Sequence, residues 1–307
     1  MTPNDPDSSS VNGTLTVGEA FARYEAVRLR LPQVVAVPPS RSAAGLLDIA
    51  AQYDGFLFDS FGVLNVGDTA IAGAADCLMA LRALGKPFCV LTNAASYTAA
   101  AALLKYRRMG LDVRLDEIIS SRDVTFAHLD VMEPGRKWAA IPDHGDRFTD
   151  SRTQLFDLLA LDDWSTAEGF VFLSAARWTA ALQDRLVAEL TRLPRPVVIG
   201  NPDLVAPRET GLTIEPGFWA HDIQDRTGVV PQFFGKPYAA AFRAALDRIG
   251  VARVAMVGDT LHTDILGAQA CGLDTILVTR HGMFAGHPVD QYIAQSGIAP
   301  TWILPQI

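Results

Sequence analysis

The sequence predicts an α/β protein, a doubly wound parallel sheet of Rossmann-like pattern with a second α/β unit inserted into it. Two observations carry that reading. From Leu46 onward, short apolar runs alternate with amphipathic helical stretches, and the runs are apolar throughout, as strands covered on both faces are. Several runs then end abruptly in polar or glycine residues, where open parallel sheets place their ligands.

Taken in order, residues 1 to about 14 are rich in Asp, Ser, Asn and Pro and read as a disordered start. "TVGEAFARYEAVRLRL" reads as a short helix, closed by the linker "PQVVAVPPSRS". Strands are expected at 55–58, 88–91, 117–120, 138–141, 170–173, 197–199, 254–257 and 275–279. Helices are expected at 73–84, with Leu78, Leu81 and Leu84 on one stripe, and at 97–109, 178–192, 238–249 and 263–271. The stretch from 122 to 230 has its own strands and helices between two proline-rich joints. The expected division is an N-terminal extension at 1–44, a core at 45–121 and 231–307, and an inserted unit at 122–230.

Composition bounds the function. The 307 residues are 49% apolar and 20% charged, enough for one large domain or two ordinary ones. With 26 basic against 34 acidic side chains the formal charge is −8, which argues against a nucleic-acid or anionic-membrane surface. Cys77, Cys89 and Cys271 lie far apart without metal or redox spacing, so they read as buried thiols in a reducing cell interior. No leader pattern opens the chain and no apolar run reaches membrane-spanning length. The expected location is the cytoplasm, with no nucleic-acid or membrane partner.

Four segments carry chemistry. Asp59 follows "GFLF"; Thr92 and Asn93 follow "FCVL"; Asp259 and Asp264 belong to "VAMVGDTLHTDILGA"; Lys236 stands in "FFGKPYAAAF" at a helix entrance. Each alone has an ordinary reading: a turn acid, a helix cap, a solvated lysine. Together, three carboxylates repel one another unless a divalent cation sits among them, and all-oxygen ligation suits magnesium. A lysine and a hydroxyl beside that cation make a phosphate clamp. A carboxylate left to attack phosphorus gives an aspartyl-phosphate.

In these segments the sequence resembles the haloacid dehalogenase (HAD) superfamily, with Asp59, Thr92, Lys236 and "GDTLHTD" at its four motifs, over about Tyr53 to Thr279. The insertion at 122–230 is similar to the type 2 cap. Within it, "VVIGNPDLVAP" and "EPGFWA", together with "LRALGKPFCVLTNAAS" before it, look like the 4-nitrophenylphosphatase-like subclass IIA. The resemblance implies a magnesium-dependent phosphomonoester hydrolase in which Asp59 attacks phosphorus and binds metal. It also implies the Phe61 carbonyl and Asp259 as further metal ligands, with Asp264 orienting metal-bound water or Lys236. Thr92, the Asn93 amide and Lys236 would hold phosphoryl oxygens. The cap loop near 201–208, with Asn201, Asp203 and Arg208, would select among small phosphorylated metabolites. Caps of this subclass often form dimer contacts, so a homodimer through the cap is an expectation.

The departure is Phe61, where most such phosphatases carry an acid that protonates the leaving oxygen and then activates water. Phenylalanine does neither, and that help is typically worth roughly 10²–10⁴-fold in rate. The first expectation is a phosphatase, slow on alkyl esters. The second is a catalytically weak phosphate-binding or regulatory protein, and a distant third is a dehalogenase attacking carbon. His262, inside the fourth motif, offers a replacement proton shuttle, against the ordinary reading of a surface histidine in a loop. Trp178 and Trp219 read as core or cap-interface residues, Tyr238 as a locally packed helix start, and His281 as unconnected to the site.

Overall fold

The computed structural model describes residues 14–34, 39–132, 135–208 and 211–307. The expected disordered start at 1–13 and the middle of the 32–42 linker lie outside these residues. Two parallel sheets organise the rest.

The first sheet has seven strands in the order Arg41–Ser42, Trp302–Leu304, Asp274–Val278, Val254–Gly258, Gly55–Phe58, Phe88–Thr92, Ile118–Ser120, all parallel. Counted along the chain from Gly55–Phe58, the order is 3-2-1-4-5-6, that of a doubly wound sheet. The direction of winding reverses between Gly55–Phe58 and Val254–Gly258, which pair with Leu57 opposite Met256. The crevice of such a sheet opens at that reversal, beyond the carboxyl ends of these two strands. Asp59 and Asp259 are the next residue after each.

The middle strands are buried end to end, so their sequences carry no polar alternation. Helices cover both faces: Phe56, Phe58 and Val90 pack with Leu78, Leu81 and Tyr106 on one side, and Leu57, Leu91 and Met256 with Phe242 and Ala245 on the other. Leu84, expected on the Leu78–Leu81 stripe, is 59% exposed, because Ala74–Ala83 ends before it and Leu84 is the cap. The expected helix at 263–271 is a π-helical turn, Leu261–Ile265, running into Leu266–Ala270.

A second parallel sheet has the order Gln232–Phe233, Val197–Ile199, Gly169–Phe172, Trp138–Ile141, Leu155–Asp157. The helix Ser121–Met132 leads into it from the first sheet. Beside it stands a small antiparallel sheet in which Val205–Arg208 and Gly211–Ile214 pair and Thr14–Leu15 adds at the edge. Sequence pattern missed this sheet and the Trp302–Leu304 strand, whose runs are too short to show a period. No helix among the described residues is long and apolar enough to cross a membrane.

Arg122 ties the two sheets' loops together. Its buried guanidinium donates to Asp146 at 2.6 and 2.9 Å, to Asp150 at 2.7 and 2.8 Å, and to the Ala95 carbonyl at 3.1 Å, just beyond Thr92 and Asn93. Removing one partner of a buried pair strands the other, so Arg122→Met is expected to lower folding stability by on the order of 3 kcal/mol. Urea unfolding measures this, and an unchanged midpoint would mean the network carries no weight.

Candidate active site

The four sequence segments meet at the switch point. The Lys236 ammonium is buried and lies 2.5 Å from Asp59 Oδ1 and 2.8 Å from Asp264 Oδ1. Oxygens of Asp59, Asp259 and Asp264 all fall within 4.8 Å of one another. The reading of Lys236 as a solvated lysine before a helix is therefore overturned: its side chain is 2% exposed.

Local structure fixes each group. The Asp59 backbone amide donates to the Val257 carbonyl at 2.8 Å, extending the central strand pair by one residue, and Ser60 N donates to Asp59 Oδ1 at 2.7 Å. Below this loop, Tyr106 donates to Ser60 Oγ at 2.9 Å, and Ser60 Oγ donates to Asn65 Oδ1 at 2.7 Å. The chain then turns at Gly62, φ +81°, a conformation that favours glycine. A Cβ at Gly62 would meet the Asp259 carboxylate at 2.6 Å, and one at Gly282 would meet it at 2.1 Å. These two glycines give Asp259 its space, while Met283 N donates to its Oδ2 at 2.6 Å. Asp264 Oδ2 accepts from the amides of Asp259 and Thr260, both at 3.1 Å, leaving Oδ1 toward Lys236.

Thr92 and Asn93 do not cap the helix that follows; Thr98 does, accepting from Ala101 N at 3.2 Å. Asn93 instead clasps the lysine segment, its Oδ1 accepting from Lys236 N at 2.7 Å and its Nδ2 donating to the Lys236 carbonyl at 2.8 Å. That side-chain role was not legible in sequence.

A cavity of about 210 Å³ opens above Asp59, lined from the first sheet by Phe61, Thr92 and Asp259, and from the other side by Ser174, Arg208 and Glu215. Asn201, Asp203 and Arg208 all reach it, but all are engaged. Asn201 Nδ2 donates to Glu215 at 3.1 Å, Asp203 accepts from Asn93 Nδ2 at 2.8 Å, and Arg208 pairs with Glu215 at 3.4 Å. Tyr97, Asp143 and Glu215 also line the cavity. Glu215 opens the "EPGFWA" segment, where proline at the first helical position marks it as a helix entrance.

Phe61 lies at the cavity wall with the Lys105 ammonium 4.7 Å and the Arg208 guanidinium 4.8 Å from its ring centroid. His262 is not a surface loop histidine: it is fully buried, with Nε2 2.5 Å from Glu25 and its ring stacked on Tyr24. Nor does it line the cavity, so it stands apart from the leaving-group side. His281 is likewise absent from the lining, and Tyr238 stacks on Phe233 as a packing residue.

Burial pushes the Asp59 carboxyl up to about 7, Lys236 opposing the rise and Asp264 adding to it. Burial, with the Asp264 and Asp59 carboxylates beside it, pushes Asp259 up as well. Three carboxylates against one ammonium leave negative charge uncompensated in a desolvated place. This oxygen-only donor set fits a divalent cation of the hard, oxygen-seeking kind.

A haloacid dehalogenase-like hydrolase family model matches residues 56–149, and a HAD-hydrolase-like model matches 233–307. The chain belongs to this superfamily of hydrolases. Among its relatives, the acid sugar phosphatase of Staphylococcus aureus is 27% identical over 238 residues, 74% of this chain and 86% of that protein. Among solved structures, a possible sugar phosphatase from Cytophaga hutchinsonii superposes with a TM-score of 0.76 at 27% identity, covering 87% of this chain and 98% of that one. A p-nitrophenyl phosphatase from Archaeoglobus fulgidus gives 0.69 at 25% identity, covering 83% and 96%.

The raised Asp59 carboxyl has a measurable consequence. An ordinary Asp ionises near 4. Between about pH 4 and 7 the folded metal-free protein thus holds a proton there that the unfolded chain has released, so stability falls as pH rises through this window. Cation binding needs the ionised form. Magnesium is therefore expected to raise the unfolding temperature more at about pH 8 than at about pH 6. Equal shifts in calorimetry at the two values would remove the cation from Asp59.

Proposed function

We propose that this hydrolase is a magnesium-dependent phosphomonoester phosphatase working through an aspartyl-phosphate on Asp59. The observation that carries the reading is the buried ammonium of Lys236, held between Asp264 and Asp59, the carboxylate that lines the cavity. A lysine so placed meets a phosphoryl group next to the carboxylate that attacks it.

Asp59 Oδ attacks phosphorus; the ester P–O bond breaks and the leaving oxygen takes a proton from solvent water. Water then attacks the same phosphorus, releasing inorganic phosphate and the free carboxylate. Lys236, the Thr92 hydroxyl and the Asn93 amide hold the phosphoryl oxygens, and the lysine's charge offsets that building on them. Asp59, Asp259 and the Phe61 carbonyl would hold magnesium, with Asp264 orienting Lys236. When bound, the cation supplies electrostatic stabilisation of the transferring phosphoryl group. The inserted unit acts as the cap, expected at 122–230 but with its sheet extending to Gln232–Phe233, and Asn201, Asp203 and Arg208 bear on which small phosphorylated metabolite is accepted. The relatives named as sugar and p-nitrophenyl phosphatases support the same reaction class.

Phe61 favours a second reading, a weak enzyme or a phosphate-binding protein, because the leaving-group side lacks an acid. Lys105 and Arg208 flank the ring and bring positive charge there.

Two variants test these readings. Asp59→Asn keeps the shape but removes the anionic nucleophile, so magnesium-dependent release of p-nitrophenol from p-nitrophenyl phosphate is expected to vanish. Substantial turnover in that variant would remove Asp59 from its role. Phe61→Asp places a carboxyl where the leaving oxygen departs. Turnover of alkyl phosphates is expected to rise by part of the roughly 10²–10⁴-fold that proton transfer provides. Turnover of p-nitrophenyl phosphate, whose leaving group needs little protonation, is expected to rise less. Equal gains on both ester types would sink the leaving-group argument.

A further inference from the structure

We propose that residues 14–31 form a brace that fixes the side of the cavity made by 203–208 and 211–215 over Asp59, with Tyr24 as its positioning residue; the kinetic part of this proposal rests on the phosphatase reading above. The helix Val17–Ala26 begins with Thr16 and Glu19 capping each other's backbone amides and leads into Arg28–Arg30. It touches both the Leu204 loop and the His262 turn.

On the cap side, Thr14–Leu15 pairs antiparallel with Thr213 and Leu212, and Thr213 lines the cavity. The fully buried Tyr24 accepts a hydrogen bond from Leu204 N at 3.1 Å. The adjacent Asp203 accepts from Asn93, and Asn93 accepts from Lys236 N. Three hydrogen bonds and one peptide unit thus lead from the N-terminal helix to the lysine that holds Asp59. Arg23 and Arg30 both pair with Asp225, on the helix Pro216–Thr227.

On the core side, the Tyr24 ring stacks on His262, centroids 4.8 Å apart and planes 10° apart, while Glu25 holds His262 Nε2. His262 lies in the same π-helical turn as Asp264. Phe21 and Leu31 join one apolar cluster with Leu204 and Leu212 from the cap side and Leu261 and Met283 from the core side.

A segment bound to the cap alone would travel with it, and one bound to the core alone would leave it free. A segment bound to both holds the loop in register with the phosphate clamp before any substrate arrives. Such preorganisation removes ordering that binding would otherwise require. Loosening it should therefore weaken binding more than it slows chemistry.

Tyr24→Phe removes one oxygen and keeps the buried ring, and Asp225→Asn removes the surface ion pairs; both are expected to fold. In Tyr24→Phe, amide hydrogen exchange in 204–208 and 211–214 is expected to quicken roughly two- to tenfold, the range one net hydrogen bond supports, while 254–258 is unchanged. The KM for p-nitrophenyl phosphate is expected to rise several-fold with kcat nearly constant, and Asp225→Asn is expected to shift both readouts the same way by less. Unchanged exchange in both variants would overturn the proposal. So would exchange that quickens uniformly across the molecule with kcat falling, the mark of a merely structural helix. Should the wild-type protein hydrolyse no ester, the phosphatase reading fails, and the exchange measurement alone still decides the brace.

Discussion

One buried ammonium governs this structure. The Lys236 ammonium lies between the Asp59 and Asp264 carboxylates and offsets the repulsion between them in a desolvated crevice. The lysine in turn could not be buried without them, since an unpaired ammonium costs far more than packing of its stem returns. The three groups stabilise each other only together. Asn93 grips the lysine's backbone on both sides, and two glycines clear the space that Asp259 needs.

That constraint also explains the polar contacts between the two sheets. Asn93 bonds Asp203, Arg122 bonds Ala95 and two carboxylates, and Arg208 lies over Phe61. Each of these links leaves from the loops after the central strands, next to the site. The second sheet is thus held where its contacts bear on chemistry.

Much of this was legible in sequence, for identifiable reasons. Continuous apolar runs gave the central strands within a residue or so, because burial on both faces removes polar positions. Asp59, Thr92, Lys236, Asp259 and Asp264 stood out because acids and a lysine directly beyond such runs have no packing role. Leu84 misled because it keeps the helical period one residue past the helix. His262 misled for a different reason: sequence placed it in the right turn, but only the Tyr24–Glu25 side of a distant helix decides which way its ring faces. The short strands Thr14–Leu15, Val205–Arg208 and Gly211–Ile214 carry no period of their own and exist through pairing with one another. Glu215 and Tyr97 lacked any local signal beyond a helix entrance and a loop.

The strand order has a consequence for how such a chain is made. Gly55–Phe58 and Val254–Gly258 are neighbours in the sheet, yet the whole second sheet lies between them along the chain. During synthesis, Asp59 emerges well before its lysine and its two companion acids. Until then no carboxylate is clamped and no charge is balanced. A chain cut between these strands therefore holds Asp59 without the lysine and the acids that surround it in the folded protein.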